Sequence, residues 1–196
     1  GTSSNLVITT TGAVTIGGAI GTDIGTVTAT ASTLSAQAIT TTGNIDLSGV
    51  TTSTLNGDLT TTSNGNITTG ALNVATSVTM SPGSGTITLG AATLADSATL
   101  TLGAGGATTI NTSSISGTAA GTASNVTINT TGVVTIGGAI GTDMGTVTVT
   151  QSGGTTFSGA LSAASIVLTD TADAATVSFA GNVTATTGMT VSANGA

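Results

Sequence analysis

One stretch of this chain is written twice. Residues 1–30, GTSSNLVITTTGAVTIGGAIGTDIGTVTAT, recur as residues 121–150, GTASNVTINTTGVVTIGGAIGTDMGTVTVT, with 23 of 30 positions identical and differences only at 3, 6, 7, 9, 13, 24 and 29. Near-identity at a fixed offset marks a repeat architecture, in which one supersecondary unit buries its apolar face only by stacking on its neighbours. A shorter and looser period runs inside the long one. A glycine-centred turn followed by a strand-like run recurs as TTGAVTIGG, TTGNIDLSG, SNGNITTGA, GSGTITLGA, GGATTINTS and TTGVVTIGG, led by Gly12, Gly43, Gly65, Gly85, Gly106 and Gly132. The basic unit is therefore roughly 20 residues, the size of one coil of a β-helix.

Within each unit the pattern is that of a strand buried on one side. Val14 and Ile16 flank Thr15, Ile45 and Leu47 flank Asp46, and Ile87 and Leu89 flank Thr88. Val126 and Ile128 flank Thr127, and Val147 and Val149 flank Thr148. A period of two puts the aliphatic residues on one face and the polar ones on the other. The β-branched Thr and Val favour strands. Turns are marked by Asn56-Gly57, Asn64-Gly65, Asn194-Gly195, Gly17-Gly18 and Gly137-Gly138. Glu, Lys and Arg are absent, so few strong helix formers remain, and no significant helix is expected.

The predicted fold is all-β: a parallel β-helix, or β-solenoid, of roughly 20-residue coils running as one continuous segment over residues 1–196, with the internal duplication 1–30/121–150. Tandem β-sandwich domains are the alternative, since they too could repeat at this spacing, but their cores use larger residues and their turns fall more often. A propeller would need more aromatics, and Phe157 and Phe179 are the only two here. Small aliphatic residues suit a thin core stacked in layers. At about 4.8 Å per coil the rod would be roughly 40 Å long. The terminal stretches GTSSNLVI and TGMTVSANGA carry no charged cap, although solenoid ends and sheet edges are ordinarily protected. The expectation is that the chain continues, as a mature product or internal segment of something larger, or that its ends pair with other copies.

Composition narrows function by removal. The chain has no Lys, Arg, His, Cys, Trp or Tyr, and its seven acidic residues are all Asp. No Ser-His-Asp triad, thiolate nucleophile, Schiff-base lysine or ordinary zinc site can be built from it. Nothing neutralises a phosphate, and the net charge of −7 repels nucleic acids and anionic headgroups. No nucleic-acid partner and no enzyme activity are expected. Mean hydropathy is high at +0.50, yet Thr, Ser and Gly interrupt every apolar run before it reaches a membrane span. A transmembrane barrel would need aromatic girdles. No membrane insertion is expected.

Thr/Gly/Ala-rich units such as TTGNIDLSG and TTGAVTIGG, in a chain without cysteine and almost without aromatics, resemble the β-strand repeats of very large secreted bacterial surface proteins. These are the filamentous-haemagglutinin-like adhesins and the repeat proteins of sheaths, fibres and surface layers. The resemblance implies a right-handed parallel β-helix, export to the cell surface or extracellular matrix, and a part in adhesion or scaffolding. Its repeats define no functional residues. Head-to-tail self-association into filaments is the expected partnership, with a glycan or cell-surface receptor as the other candidate. Receptor-binding insertions are expected near residues 20–36 and 140–160.

Three further site readings follow from particular residues. Asp23 and Asp143 occupy equivalent places in IGTDIG and IGTDMG, and Asp170 and Asp173 form the closest local acidic pair. Calcium is the cation they would take, although it wants six to eight oxygen ligands and usually several carboxylates. Asp at a glycine-flanked turn is otherwise a turn former, so no cofactor is assigned. Outward threonines in TVTAT, TITLG, TLTLG and TVTVT could form ladders of the kind that contact ice, with NGDLTTTSNGNITTG expected to break them. Glycosylation sequons occur at Asn66, Asn111, Asn125, Asn129 and Asn182.

Overall fold

The chain folds as a β-solenoid of about nine turns, seen in a computed structural model that describes residues 3–21, 23–119, 121–169 and 175–192. Among these residues there are 21 strands and no helix. Every strand pairing is parallel, each strand lying beside the one a turn earlier and a turn later. That excludes the antiparallel pairing of a sandwich and confirms the coil.

Each turn has three faces. On face A the inward residues stack as Leu6, Val27, Ile45, Ile67, Ile87, Ile110, Val134, Thr155 and Val177. Face B carries Val14, Leu34, Ser53, Leu72, Ala92, Ile115, Ile140, Leu161 and Val183. Face C carries Ile20, Ile39, Leu59, Met80, Leu102, Ile128, Val149, Leu168 and Val191. The alternation read from sequence holds at each quoted pair: Ile45, Leu47, Ile87, Val126, Ile128, Val147 and Val149 are almost fully buried. Each aliphatic side chain so placed contributes about 1.5–3 kcal/mol relative to exposure.

Several strands turn a corner without breaking. Ile24–Ala36 and Ile45–Leu55 serve faces A and B in succession, and Leu161–Leu168 serves faces B and C. Their partners shift register mid-strand, between Thr28 and Thr30 and between Ala163 and Ser165, where the chain bends. This corrects one expectation. Residues 24–36 are continuous strand and carry no loop insertion, and 144–151, 155–157 and 161–168 are strands as well.

Corners are where close packing demands glycine. At the corner entering face A, a Cβ on Gly65 would lie 2.4 Å from the Gly43 carbonyl, and one on Gly85 would lie 2.3 Å from the Gly65 oxygen. These glycines stack backbone on backbone, which accounts for the 20-residue echo. Buried threonine hydroxyls at this corner donate to turn carbonyls: the register partners Thr41 and Thr61 to Gly43 at 2.7 Å and to Gly65 at 2.9 Å, and Thr108, in the glycine column itself, to Gly83 at 2.6 Å.

The duplication does not follow the faces. Leu6 lies on face A, but its counterpart Val126 pairs with Leu100 and Val147 on face C. Val14 lies on face B and its counterpart Val134 on face A. The strands of the second copy match those of the first but are set back round the prism by one face. Gly12 accordingly belongs to the corner between faces A and B, where its carbonyl accepts from Ser32 N–H at 3.0 Å, whereas Gly132 lies against Thr108. The two are not members of one column.

Candidate functional site

The seven aspartates do not converge. Asp23 and Asp143 make equivalent backbone contacts, their carbonyls accepting from Ser4 N–H at 3.2 Å and Ser124 N–H at 3.0 Å. They stand on different corners because of the one-face offset. Asp23 is exposed; Asp143 is half-buried in a left-handed conformation with φ of 52°. Asp170 and Asp173 lie outside the described residues. Asp58, Asp96 and Asp143 share the corner between faces B and C on alternate turns, about 9.6 Å apart along the axis at two coil spacings, too far to share a cation. Among the described residues no group of three acidic side chains could hold a metal ion.

Single carboxylates instead tie neighbouring segments together. Asp58 Oδ1 accepts from Thr79 N–H at 2.7 Å and Asp96 Oδ1 accepts from the Thr118 hydroxyl, whereas Asp46 Oδ1 bonds locally, accepting from Ser48 N–H at 3.0 Å. Asn side chains act in the same way at strand starts: Asn44 Oδ1 accepts from Asn66 N–H at 2.8 Å, and Asn66 Oδ1 from Thr86 N–H at 2.9 Å. The duplicated Asn5 and Asn125 reach Thr26 N–H at 3.0 Å and Thr146 N–H at 2.8 Å. A hollow of about 320 Å³ beside Asp143 is lined in part by Thr142, Met144 and Ser162. It holds one carboxylate among hydroxyls and aliphatic groups, so no acid–base or nucleophile–base pair is assembled there.

What the coil builds at length is hydroxyl surface. On face A the outward column reads Val7, Thr28, Asp46, Thr68, Thr88, Asn111, Thr135, Thr156 and Ser178. On face C, Thr79, Thr101, Thr127 and Thr148 stack over four successive turns. The expected break at NGDLTTTSNGNITTG is present on face C, where Asp58 of that segment ends the column beside Thr79. Thr60 falls on face C opposite Thr40 and Ser81, while Thr68 falls on face A opposite Asp46 and Thr88. Linear reading placed the break but not the faces, because it treated consecutive rungs of different faces as one ladder.

The aliphatic ladders run unroofed to both described ends. Leu6, Ile8, Val14, Ile16 and Ile20 are only half-buried against the core, as are Val177, Phe179 and Ala185. Val183, Met189 and Val191 are 40%, 42% and 65% exposed. A scan against protein-family models finds no match, and no curated protein or solved structure matches the chain at a significant level.

Proposed function

We propose that this chain is a non-enzymatic structural element of an extracellular or cell-surface fibre, extended by stacking of β-coils head to tail. The observation that carries this reading is the duplicated segment compared with itself. In the interior copy, Val126, Ile128, Val134 and Ile136 are fully buried beneath Leu100, Leu102, Ile110 and Thr112 of the preceding turn. The matching Leu6, Ile8, Val14 and Ile16 of the first turn are half-buried and lack that cover. A surface whose near-identical twin is roofed by another coil is suited to take one, whether from a second copy or from a further coil of the same protein. Parallel strand edges add unpaired N–H and C=O groups in the same plane.

The surroundings proposed for it follow from chemistry and from the bacterial surface repeats the chain resembles. With no Lys or Arg it offers no site to trypsin-like proteases, an advantage outside the cell. Cryo-electron microscopy of the purified chain tests the assembly. Filaments with an axial spacing near 4.8 Å are expected, and Leu6→Lys with Val14→Lys should leave single rods. Discrete monomers of the unaltered chain at high concentration would overturn the reading.

A further inference from the structure

Face C carries an array that stacking alone does not explain. Its outward side presents two parallel ranks over four turns: Ser77, Thr99, Asn125 and Thr146 in one, and Thr79, Thr101, Thr127 and Thr148 in the other. The second rank is threonine over these four turns, bounded by Asp58 before Thr79 and Val167 after Thr148, whereas no four successive outward positions of face A or face B are all threonine. No register shift falls between Thr79 and Thr101 or between Thr101 and Thr127, and Thr127 stays in line with Thr148. The hydroxyls of the four threonines make no hydrogen bond within the described chain, although Asn125 and Ser77 in the first rank accept from the next turn.

We propose that face C binds ice. Turns stack about 4.8 Å apart and residues two apart along a strand are about 6.6–6.8 Å apart, so the ranks form a two-dimensional grid of hydroxyls and methyls. These repeats are close to those of water oxygens on a prism face of hexagonal ice. Each threonine offers a methyl that excludes liquid water and a hydroxyl that both donates and accepts, so the grid holds an ordered water layer that a growing crystal incorporates. Charge would disrupt that layer by holding water in its own shell. No Asp lies within the four rows; the nearest, Asp58, precedes Thr79 in the same column. Crystalline glycan is the competing planar ligand, but sugar rings are gripped by aromatic faces. The two phenylalanines point into the coil on face A instead.

The test is freezing-point hysteresis and inhibition of ice recrystallisation by the purified chain, with folding monitored by circular dichroism. The unaltered chain is expected to show both effects. Thr101→Tyr with Thr127→Tyr, which raises bulk in the middle of the grid, should abolish them, while Ser116→Tyr on the outward side of face B should leave them unchanged. Thr101→Val with Thr127→Val keeps shape and strand propensity while removing the hydroxyls, and it should cut hysteresis severalfold even where the tyrosine pair perturbs folding. The proposal is overturned if the folded chain shows no hysteresis, if Ser116→Tyr removes it equally, or if the chain binds crystalline cellulose or chitin without affecting ice. None of these outcomes depends on filament formation, which microscopy scores separately.

Discussion

Phe157 and Phe179 stack ring on ring one turn apart, with centroids 5.1 Å apart and planes 6° from parallel. They are register partners on the inner side of face A, above Leu89, Thr112 and Ile136 of the same column. Truncating Phe157, which is 1% exposed, leaves a cavity that rigid parallel strands cannot close. Phe157→Ala should cost about 3–5 kcal/mol, and Phe157→Leu less than about 1.5 kcal/mol. Guanidinium unfolding followed by circular dichroism measures both. Equal losses for the two would mean the site tolerates no change of shape and that volume is not what matters.

The glycine pairs in the duplicated segment make a second comparison. A Cβ on Gly138 would lie 2.7 Å from the Ser114 backbone nitrogen, while one on Gly18 meets nothing within 4 Å. Gly138→Ala should therefore lower stability by about 1–3 kcal/mol. Gly18→Ala, at a φ that suits any residue, should raise it by about 0.4–1 kcal/mol through the unfolded chain. Thermal melts of the two single variants decide this, and a destabilising Gly18→Ala would show that the first turn packs against something beyond the described residues.

Much of this architecture was legible in the sequence, and the illegible part has one cause. Alternation such as Ile45-Asp46-Leu47 and glycines such as Gly43 and Gly65 announce strand and corner directly, because a buried ladder and a backbone-on-backbone contact each accept few residue types. Face assignment is different. The step between partners varies, from 18 residues between Val27 and Ile45 to 26 between Leu102 and Ile128, as corners gain or lose residues. An offset of 120 residues can therefore preserve every local turn and still land one face away. The same variation hid the four-turn threonine column and placed Asp23 and Asp143 apart, although their flanking residues match. The Phe157–Phe179 stack could be found only once the step across that corner was known.

Asn125 and Asn5 test whether the interturn side-chain bond is worth more under cover. Both accept from the backbone N–H of a threonine in the next turn, but the Asn125 bond is partly buried and the Asn5 bond is exposed. Removing Asn125 leaves the Thr146 N–H short of a partner where water reaches poorly, at about 1 kcal/mol. Around Thr26 water replaces the lost acceptor, so Asn5→Ala should stay within about 0.5 kcal/mol of the parent. Hydrogen exchange reports the same contrast locally: the Thr146 amide should lose protection in Asn125→Ala, and an unchanged Thr146 rate would mean the bond is not formed in solution.

Buried hydroxyls supply the sharpest test because the structure assigns them opposite signs. Thr155 sits inside face A between Val134 and Val177, 1% exposed, and its Oγ1 has no hydrogen-bond partner. Thr130 is equally buried, but its Oγ1 accepts from Gly132 N–H at 2.9 Å and lies 2.5 Å from the Thr108 carbonyl. Valine has nearly the same shape as threonine and lacks the oxygen. At Thr155 it relieves an unpaired polar atom and should stabilise by about 1 kcal/mol. At Thr130 it strips a partner from a buried N–H and from a carbonyl, and should cost about 1–3 kcal/mol. Denaturant midpoints moving in opposite directions would establish that Thr130 ties the corner while Thr155 merely fills the column. Loss at both sites would show that Thr155 has a hydrogen-bond partner, such as an ordered water within the coil.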